Sequence, residues 1–230
     1  MTLTLPKEAK ESIEQELSTL DTVLESLASQ EANSERRLRS ESRRAQELTV
    51  ALVTAKRVED KQLLASDEAV SHGLRDKQDA QLRTLQKLQR KPYFARIVVE
   101  EPGPQGSRSL EYKLGFAENP ECRIIDWRKA PVAKLYYEYR EGDEYSEEIQ
   151  GRERNGSILL RNSVEIENSE LRGVACRHGR FHKKDGAWVS AEGPLTSRAA
   201  ARAAGGSHHL PEIAALLSPE QFALISDNLS

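Results

Sequence analysis

The chain has 230 residues, of which 31% are charged and 5% aromatic, and its formal net charge is -3. This length allows one domain with an extension or two small domains, and the polar composition is typical of solvent-facing helix. The weak negative charge supplies no global basic field to hold nucleic-acid phosphates. No window approaches 18 uninterrupted apolar residues, which excludes a membrane span. The two cysteines, Cys122 and Cys176, and the lack of a secretory leader pattern predict a cytoplasmic protein with free thiols.

Residues 7–91 are predicted to be helical, because one glycine and no proline interrupt them and helix-forming residues dominate. Glu31, Ser34 and Glu41 stand where a heptad repeat would place leucine, so the middle of the first helix is expected to pack weakly. The apolar residues of this first helix recur at alternating spacings of four and three: Ile13, Leu17, Leu20, Leu24, Leu27, Leu38, Ala45, Leu48, Leu52 and Ala55.

A second periodic stretch follows, and it ends at Lys91-Pro92 because proline forces the preceding residue out of the helical region. Residues 1–35 hold eight acids and two bases, whereas residues 36–91 hold fourteen bases and eight acids. We therefore expect an antiparallel hairpin that projects from the rest of the chain, with its turn within residues 56–61 and a helix start at Ser66-Asp67-Glu68. The apolar residues of the second stretch are Leu63, Leu64, Val70, Leu74, Leu82, Leu85 and Leu88.

After Pro92 the apolar period changes to two, which predicts a small antiparallel β-barrel or sandwich. The predicted strands are 93–101, 110–117, 122–127, 134–140, 157–163, 164–167, 171–178 and 187–191. Turn signals separate them at Pro102-Gly103, Glu118-Asn119-Pro120, Glu141-Gly142-Asp143, Asn155-Gly156 and Lys184-Asp185-Gly186. A short C-terminal helix is expected at 211–225. The predicted organisation is α+β: a hairpin arm at 1–91, a β-rich domain at 92–192, a linker at 193–209 and a last segment at 210–230.

The residues offer little catalytic chemistry, so the chain alone is predicted not to be an enzyme and to hold no cofactor. It lacks a phosphate loop, since Gly205-Gly206 is followed by Ser-His-His. Cys176, His178 and His182 could supply soft metal ligands with Cys122 as a fourth, but solvated strand residues are the expected interpretation. Neither cysteine and no serine has the sequence context of a catalytic nucleophile.

Asp126-Trp127-Arg128 is the most informative cluster, because an apolar strand runs directly into an acid, a large ring and a base. The expected role is structural: a buried Trp127 beside an ion pair of Asp126 with Arg128.

Three further motifs resemble one known family. Pro92-Tyr93-Phe94-Ala95-Arg96-Ile97, then Asp126-Trp127-Arg128 with Ala130-Pro131, and finally 217–225 resemble the N-terminal region of HelD-type, UvrD-like superfamily 1 helicases. In that family a helical hairpin precedes a Pro-Tyr-Phe-Gly-Arg-Ile strand and an Asp-Trp-Arg-Ala-Pro segment. Lys129 departs from the family pattern, since it separates the arginine from Ala130-Pro131.

The resemblance implies a longer parent protein, an ATPase that uses ATP and Mg and contacts DNA through its motor. Gln221 matches the family glutamine that reads adenine, and the family phosphate loop would follow after Ser230. The resemblance also implies that the arm enters the secondary channel of bacterial RNA polymerase and helps release nucleic acid. Four acids would then lie near the arm tip as partner-binding residues, with a solvated turn as the equal alternative: Glu59, Asp60, Asp67 and Glu68.

Two alternatives stay open. One is a coiled-coil adaptor that dimerises through its seam, although a hairpin that fills its own seam predicts a monomer. The other is a nucleic-acid-binding accessory domain of a DNA helicase, which would use a set of basic residues. These are Arg152, Arg154, Arg161, Arg172, Arg177, Arg180, Lys183 and Lys184. Acids at the base of the first helix are expected to matter less for partner binding than those of the tip: Glu8, Glu11, Glu14 and Glu16.

Overall fold

The computed structural model describes residues 5–104, 106–149 and 151–191. The chain divides into two compact units: a hairpin unit, Leu24–Gln89, and a β unit, Met1–Val23 with Arg90–Ser230. The predicted linker at 193–209 and the predicted helix at 211–225 lie outside the described residues. The helices are α1 (Lys7–Thr54), α2 (Val58–Arg90) and α3 (Ala133–Glu138). The strands are β1 (Ala95–Gly103), β2 (Gly106–Gly115), β3 (Ile124–Asp126), β4 (Glu144–Ile149), β5 (Arg152–Glu167), β6 (Glu170–Cys176), β7 (Gly179–Lys184) and β8 (Ala187–Ser190).

The hairpin unit consists of two antiparallel helices joined by residues 55–57. Thr49 Oγ1 donates a hydrogen bond to Glu68 Oε1, and Gln89 Nε2 donates one to Glu31 Oε2. The first hydrogen bond joins a residue near the end of α1 to one in the first half of α2, and the second joins the middle of α1 to the end of α2. An antiparallel arrangement requires this pairing. The helices extend as predicted, but α2 begins at Val58 rather than at Ser66.

The α1 seam of the hairpin follows the predicted spacing of four and three. Leu27 and Ala45 are buried, and Ser34 is buried between them. In α2 the buried residues are Ser71, Leu85 and Leu88. Small hydroxyl side chains therefore occupy part of the seam, which fits the weak packing expected for its middle.

The α2 face was predicted partly wrongly. Three residues of the second apolar stretch are exposed in the structure: Leu63, Val70 and Leu74. Each helix of a two-helix pair has only one strip of surface facing its partner, so apolar residues outside that strip stay in solvent.

The expected charge pairing between the two helices of the hairpin is not seen as ion pairs between them. All residues of Leu24–Gln89 are described, and each ion pair recorded among them joins residues of the same helix. Examples are Arg39 with Glu35 at 3.1 Å and Arg83 with Asp79 at 2.8 Å. Such exposed pairs contribute at most about 0.5 kcal/mol each.

The β unit is built on one open sheet in the order β3-β2-β1-β5-β6-β7-β8, and β4 pairs with the first half of β5. Neighbouring strands are antiparallel except β2 and β3, which are parallel. The predicted closed barrel or two-sheet sandwich is therefore wrong. The described strands form a single sheet, and its terminal strands β3 and β8 do not pair with each other. Helices cover both faces of this sheet, so its apolar surface is buried without a second sheet.

The first turns of α1 and the short helix α3 lie on opposite faces of the sheet. Arg96 and Asn162 are paired across β1 and β5, and both contact Glu16 of α1. The next residue on β5, Ser163, contacts Tyr136 of α3 instead, with 2.6 Å between the two hydroxyl oxygens. Successive residues of a strand point to opposite faces, which explains the two coverings.

The core on the α3 side contains most of the large side chains. Trp127 and Tyr137 lie edge to face at 6.4 Å between ring centroids, and Tyr136 meets Tyr137 at 5.1 Å. The buried members of this core include Ile97, Val99, Leu114, Leu135 and Ile158.

One predicted strand, 134–140, is instead the helix α3. Its aromatic content indicated a strand, but Tyr136 and Tyr137 are both buried. An extended segment would point these neighbouring side chains to opposite sides, whereas a short helix packs both against the sheet.

One predicted turn, Asn155-Gly156, lies inside β5. A Cβ on Gly156 would lie 2.2 Å from the Glu100 carbonyl oxygen and 2.9 Å from the Tyr145 hydroxyl oxygen. The glycine is needed for this close approach and not for chain reversal. By contrast, the predicted turn at Asp185-Gly186 is present, with φ of 50° and 81° between β7 and β8.

Within the described ranges, none of the helices combines the length and apolar character needed to cross a membrane.

Candidate functional site

A buried polar cluster fixes the base of α1 on the sheet. Glu16 has no exposed surface, and its Oε1 accepts hydrogen bonds from Arg96 Nε at 2.8 Å and Asn162 Nδ2 at 2.6 Å. Arg96 also donates from Nη1 to Glu111 at 3.3 Å. Glu16 was predicted only to matter less for partner binding than the acids of the tip, and its burial was not foreseen from the sequence. The heptad places residue 16 between Ile13 and Leu20, on the side of α1 that the sheet covers.

The electrostatics of this cluster are those of a structural ion pair. Burial opposes the charge on Arg96, but Glu16 and Glu111 outweigh it and raise the pKa of the guanidinium. Burial, followed by the nearby Glu16 carboxylate, also raises the pKa of Tyr93. The raised pKa values keep the Arg96 guanidinium charged and the Tyr93 hydroxyl neutral at neutral pH.

The four acids predicted for the arm tip fall into different environments. Glu59 and Asp60 lie exposed in the first turn of α2, immediately after the helix connection. Asp67 is exposed about two turns further along α2. Glu68 is half-buried against α1, where it accepts a hydrogen bond from Thr49, and it lies 3.9 Å from His72 Nε2. Three of the four are therefore available to a partner.

Six large apolar side chains of the hairpin are exposed, and this exposure was not predicted from the sequence. Their exposed fractions range from 42% to 79%, so both helices of the hairpin leave apolar surface in solvent. These residues are Val50, Val53, Val58, Leu63, Val70 and Leu74. For Val50, Val53 and Val58, the signal available in the sequence was their position outside the predicted apolar spacing. The other three belonged to the predicted second stretch, so no such signal existed for them.

Asp126, Trp127 and Arg128 form a compact unit at the end of β3. Arg128 donates from Nε to Asp126 Oδ1 at 2.9 Å and from Nη2 to Oδ2 at 2.7 Å, and Nη2 also reaches the Phe116 carbonyl at 3.0 Å. Burial opposes ionisation of Asp126, but the hydrogen bonds from Arg128 prevail and lower the pKa of its carboxyl. Trp127 is buried against Tyr137. This geometry stabilises the sheet end.

The predicted basic set does not form one free surface. Arg161 donates from Nε to the Tyr136 carbonyl at 2.6 Å, and its guanidinium lies over the Tyr136 ring. Arg172 pairs with Glu170 at 2.8 Å and Arg177 with Glu141 at 3.2 Å. Arg154 pairs with Glu101. Exposed side chains without a recorded ion pair in the described part of the chain are Arg152, Arg180, Lys183 and Lys184.

The cysteine and histidine pattern is not assembled into a metal centre. Cys122 is buried, whereas Cys176 is only partly buried at the end of β6. Among the described residues, His, Cys, Asp and Glu side chains form no group of three that could hold a metal ion. Gln221, the predicted adenine contact, lies outside the described residues.

Comparison with known proteins identifies the family to which the chain belongs. The family model for the N-terminal domain of DNA helicase IV, HelD, matches residues 13–182. No curated protein matches the chain. The matched range runs from the base of α1 to β7 and so includes the hairpin, the Asp126-Trp127-Arg128 unit and most of the sheet. The chain belongs to the family of HelD N-terminal domains.

Proposed function

We propose that this chain is the non-catalytic interaction module of an ATP-dependent, helicase-like protein, and that its hairpin docks on bacterial RNA polymerase. In this proposal the tip of the arm enters the secondary channel and helps release nucleic acid. ATP, Mg and DNA are handled by the motor of the parent protein.

The observation that carries the proposal is the composition of the hairpin tip. Val53 and Val58 flank the three-residue connection and are 79% and 68% exposed, beside the exposed acids Glu59 and Asp60. Apolar side chains left in solvent next to charged ones are typical of a surface that a partner covers. A pair of helices, each about 10 Å across, is also narrow enough to enter a channel.

Electrostatics would act mainly on the rate of association. Acids at the tip would be attracted by a positively charged or metal-bearing interior, and partial loss of water would strengthen each contact. Glu68 is not counted in this surface, since its carboxylate is engaged by the Thr49 hydroxyl of the other helix.

The test is a binding assay between the full chain and bacterial core RNA polymerase, with two charge-matched triple variants. The tip variant carries Glu59→Lys, Asp60→Lys and Asp67→Lys. The control carries Glu8→Lys, Glu11→Lys and Glu14→Lys, which are exposed near the start of α1. We expect the tip variant to bind about tenfold more weakly and with a shallower salt dependence, and the control to bind within about twofold of the unmutated chain.

Two results would count against the proposal. Equal retention of polymerase by both triple variants would leave the tip without a role. Failure of the unmutated chain to bind polymerase at low salt would remove the partner itself.

A further inference from the structure

A cleft opens on the α3 side of the sheet, where two β-hairpins separate. β1 pairs with β5 only as far as Glu100 with Ser157, and β1 then continues with β2 alone. The first residues of β5, from Arg152, pair with β4. The space between the β1–β2 and β4–β5 hairpins is a cleft of about 620 Å³.

The register places a set of functional side chains on the same face of this cleft. Leu110 is opposite Val99 and Arg108 is opposite Glu101, so side chains at alternate positions of β2 share the face of the buried Val99. On β5, Arg152 and Arg154 stand at alternate positions, and Ile149 of β4 is paired with Arg152. The lining of the cleft includes Glu101, Arg108, Leu110, Tyr112, Ile149, Arg152 and Arg154.

Positive charge prevails in the cleft. Its lining contains three arginines and two acids, Glu101 and Glu153. Glu101 is buried and accepts hydrogen bonds from Tyr145 at 2.7 Å and Arg108 at 3.1 Å, and it also pairs with Arg154. One carboxylate thus holds two guanidinium groups side by side. Each guanidinium has five N–H donors, so most of the donors of Arg108 remain open to solvent.

Arg152 adds a third guanidinium at the mouth of the cleft. It is exposed, and among the residues that the structure describes no carboxylate lies within ion-pair distance of it. An arginine cluster of this kind offers the planar, paired donors that phosphate oxygens accept.

A second cavity continues beside the arginines. It has a volume of about 280 Å³ and shares Tyr112, Ile149 and Arg154 with the cleft. Its other lining includes the apolar Pro131 and Val132 and the charged Glu118, Asp126 and Lys129. The Tyr112 hydroxyl accepts a hydrogen bond from Arg154 at 3.2 Å, which orients the ring beside the charged cluster. A base can stack on such a ring while the phosphates beside it meet the arginines.

From this geometry we infer that the cleft between the β1–β2 and β4–β5 hairpins binds single-stranded nucleic acid. Phosphates contact Arg108 and Arg152, and a base packs over Tyr112. The occupant is a nucleic acid in preference to an acidic peptide, because the arginines stand beside the Tyr112 ring, on which a base can stack. The site lies in the β unit and is separate from the hairpin tip, so it does not depend on the proposed polymerase docking.

The test uses the full 230-residue chain and a fluorescein-labelled oligo(dT) of about 12 nucleotides, with fluorescence anisotropy measured at several NaCl concentrations from about 20 mM upward. The cleft variant is Arg108→Gln with Arg152→Gln. The control is Arg172→Gln with Arg180→Gln, which makes the same change of charge elsewhere on the sheet. Each pair combines one exposed arginine that has an ion-pair partner with one exposed arginine that has none among the described residues. The partner of Arg108 is the buried Glu101, whereas the partner of Arg172 is the exposed Glu170.

We expect the cleft variant to weaken oligo(dT) binding by about tenfold or more and to reduce the slope of log affinity against log salt by about 1.4, which corresponds to two lost phosphate contacts. The control should bind within about twofold. The single variant Arg152→Gln, which breaks no recorded ion pair, should show about half the change in slope. It remains informative if the double variant fails to fold.

Three results would overturn the inference. The unmutated chain could fail to bind oligo(dT) at about 20 mM NaCl. Both double variants could weaken binding equally, which would indicate a diffuse basic surface. Poly-glutamate at equal charge concentration could displace oligo(dT) as well as unlabelled oligo(dT) does, which would assign the cleft to acidic peptides.

Discussion

The hairpin unit and the β unit bury their residues in different ways. In the hairpin, the buried side chains are leucines, an alanine and two serines along one seam, while several valines and leucines stay in solvent. In the β unit, tyrosine, tryptophan and isoleucine pack on one face of the sheet, and a buried Arg96 with Glu16 lies on the other. A two-helix pair has one narrow interface, whereas a sheet covered by helices has two broad ones.

This difference indicates which unit is the more stable and which unit keeps apolar surface exposed for partners. The hairpin gains little burial per residue, so it should open more easily than the β unit. Its surplus apolar surface is available for binding. The two units can be followed separately, because both tryptophans, Trp127 and Trp188, lie in the β unit, while helix signals in circular dichroism come largely from the hairpin.

The largest expected effect is on the buried ion pair of the β unit. Replacing Arg96 by Ala leaves the Glu16 carboxylate buried without its cation and should cost about 3–5 kcal/mol of unfolding free energy. Denaturant unfolding followed by tryptophan fluorescence measures this change. The surface control is Glu14→Ala, at an exposed position on α1, the helix that carries Glu16. It should change stability by less than about 0.5 kcal/mol. Similar midpoints for both variants would show that the β unit does not depend on this cluster.

A smaller effect is expected in the seam of the hairpin. Leu85→Ala removes a side chain that is 3% exposed and should destabilise the hairpin by about 2 kcal/mol, the low end for buried leucine, because the thin seam can relax. Thermal unfolding followed by far-ultraviolet circular dichroism measures it.

The control for the seam is Val70→Ala, at a residue that is 61% exposed on the same helix. It should be neutral or slightly stabilising, since alanine is the better helix former. If Val70→Ala destabilised the hairpin as much as Leu85→Ala, the assigned seam would be wrong and the two units would differ less than proposed.

The smallest effect concerns acid stability of the β unit. Burial disfavours the charge on Glu101, but hydrogen bonds from Tyr145, Arg108 and Arg154 outweigh it, so the pKa of its carboxyl lies below the ordinary value. The pKa of Asp126 is lowered in the same direction. A carboxyl with a lowered folded-state pKa contributes stability above its unfolded pKa, about 4, and this contribution is lost as pH falls through the folded value.

The measurement is the denaturant midpoint from tryptophan fluorescence between about pH 6 and pH 3. The double variant Glu101→Gln with Asp126→Asn should be less stable at pH 6 but should lose less stability on acidification than the unmutated chain. An equally steep loss in both would mean that other carboxyls govern the acid response of the β unit.

The sequence by itself determined the order of the elements and much of the local structure. The helical stretch and its end before Pro92 follow from propensity and from the restriction that proline imposes. The switch to a period of two marked the start of the β unit, and Asp185-Gly186 marked a hairpin turn because its residues tolerate positive φ. The family resemblance also came from sequence motifs alone, and the match over residues 13–182 bears it out.

The tertiary structure decided which side of each element is buried and which polar groups meet. Glu16 cannot be told from a surface acid by its local sequence. Its partners Arg96 and Asn162 lie 80 and 146 positions away in the sequence, and only the folded sheet places them next to it. Leu63 reads as a seam residue until the geometry of the helix pair leaves it outside. Arg108 and Arg152 line the same cleft only because the β1–β2 and β4–β5 hairpins extend from one sheet with a space between them. Local preferences act over a few residues, whereas burial and charge pairing depend on distant segments, and these appear only when the chain has folded.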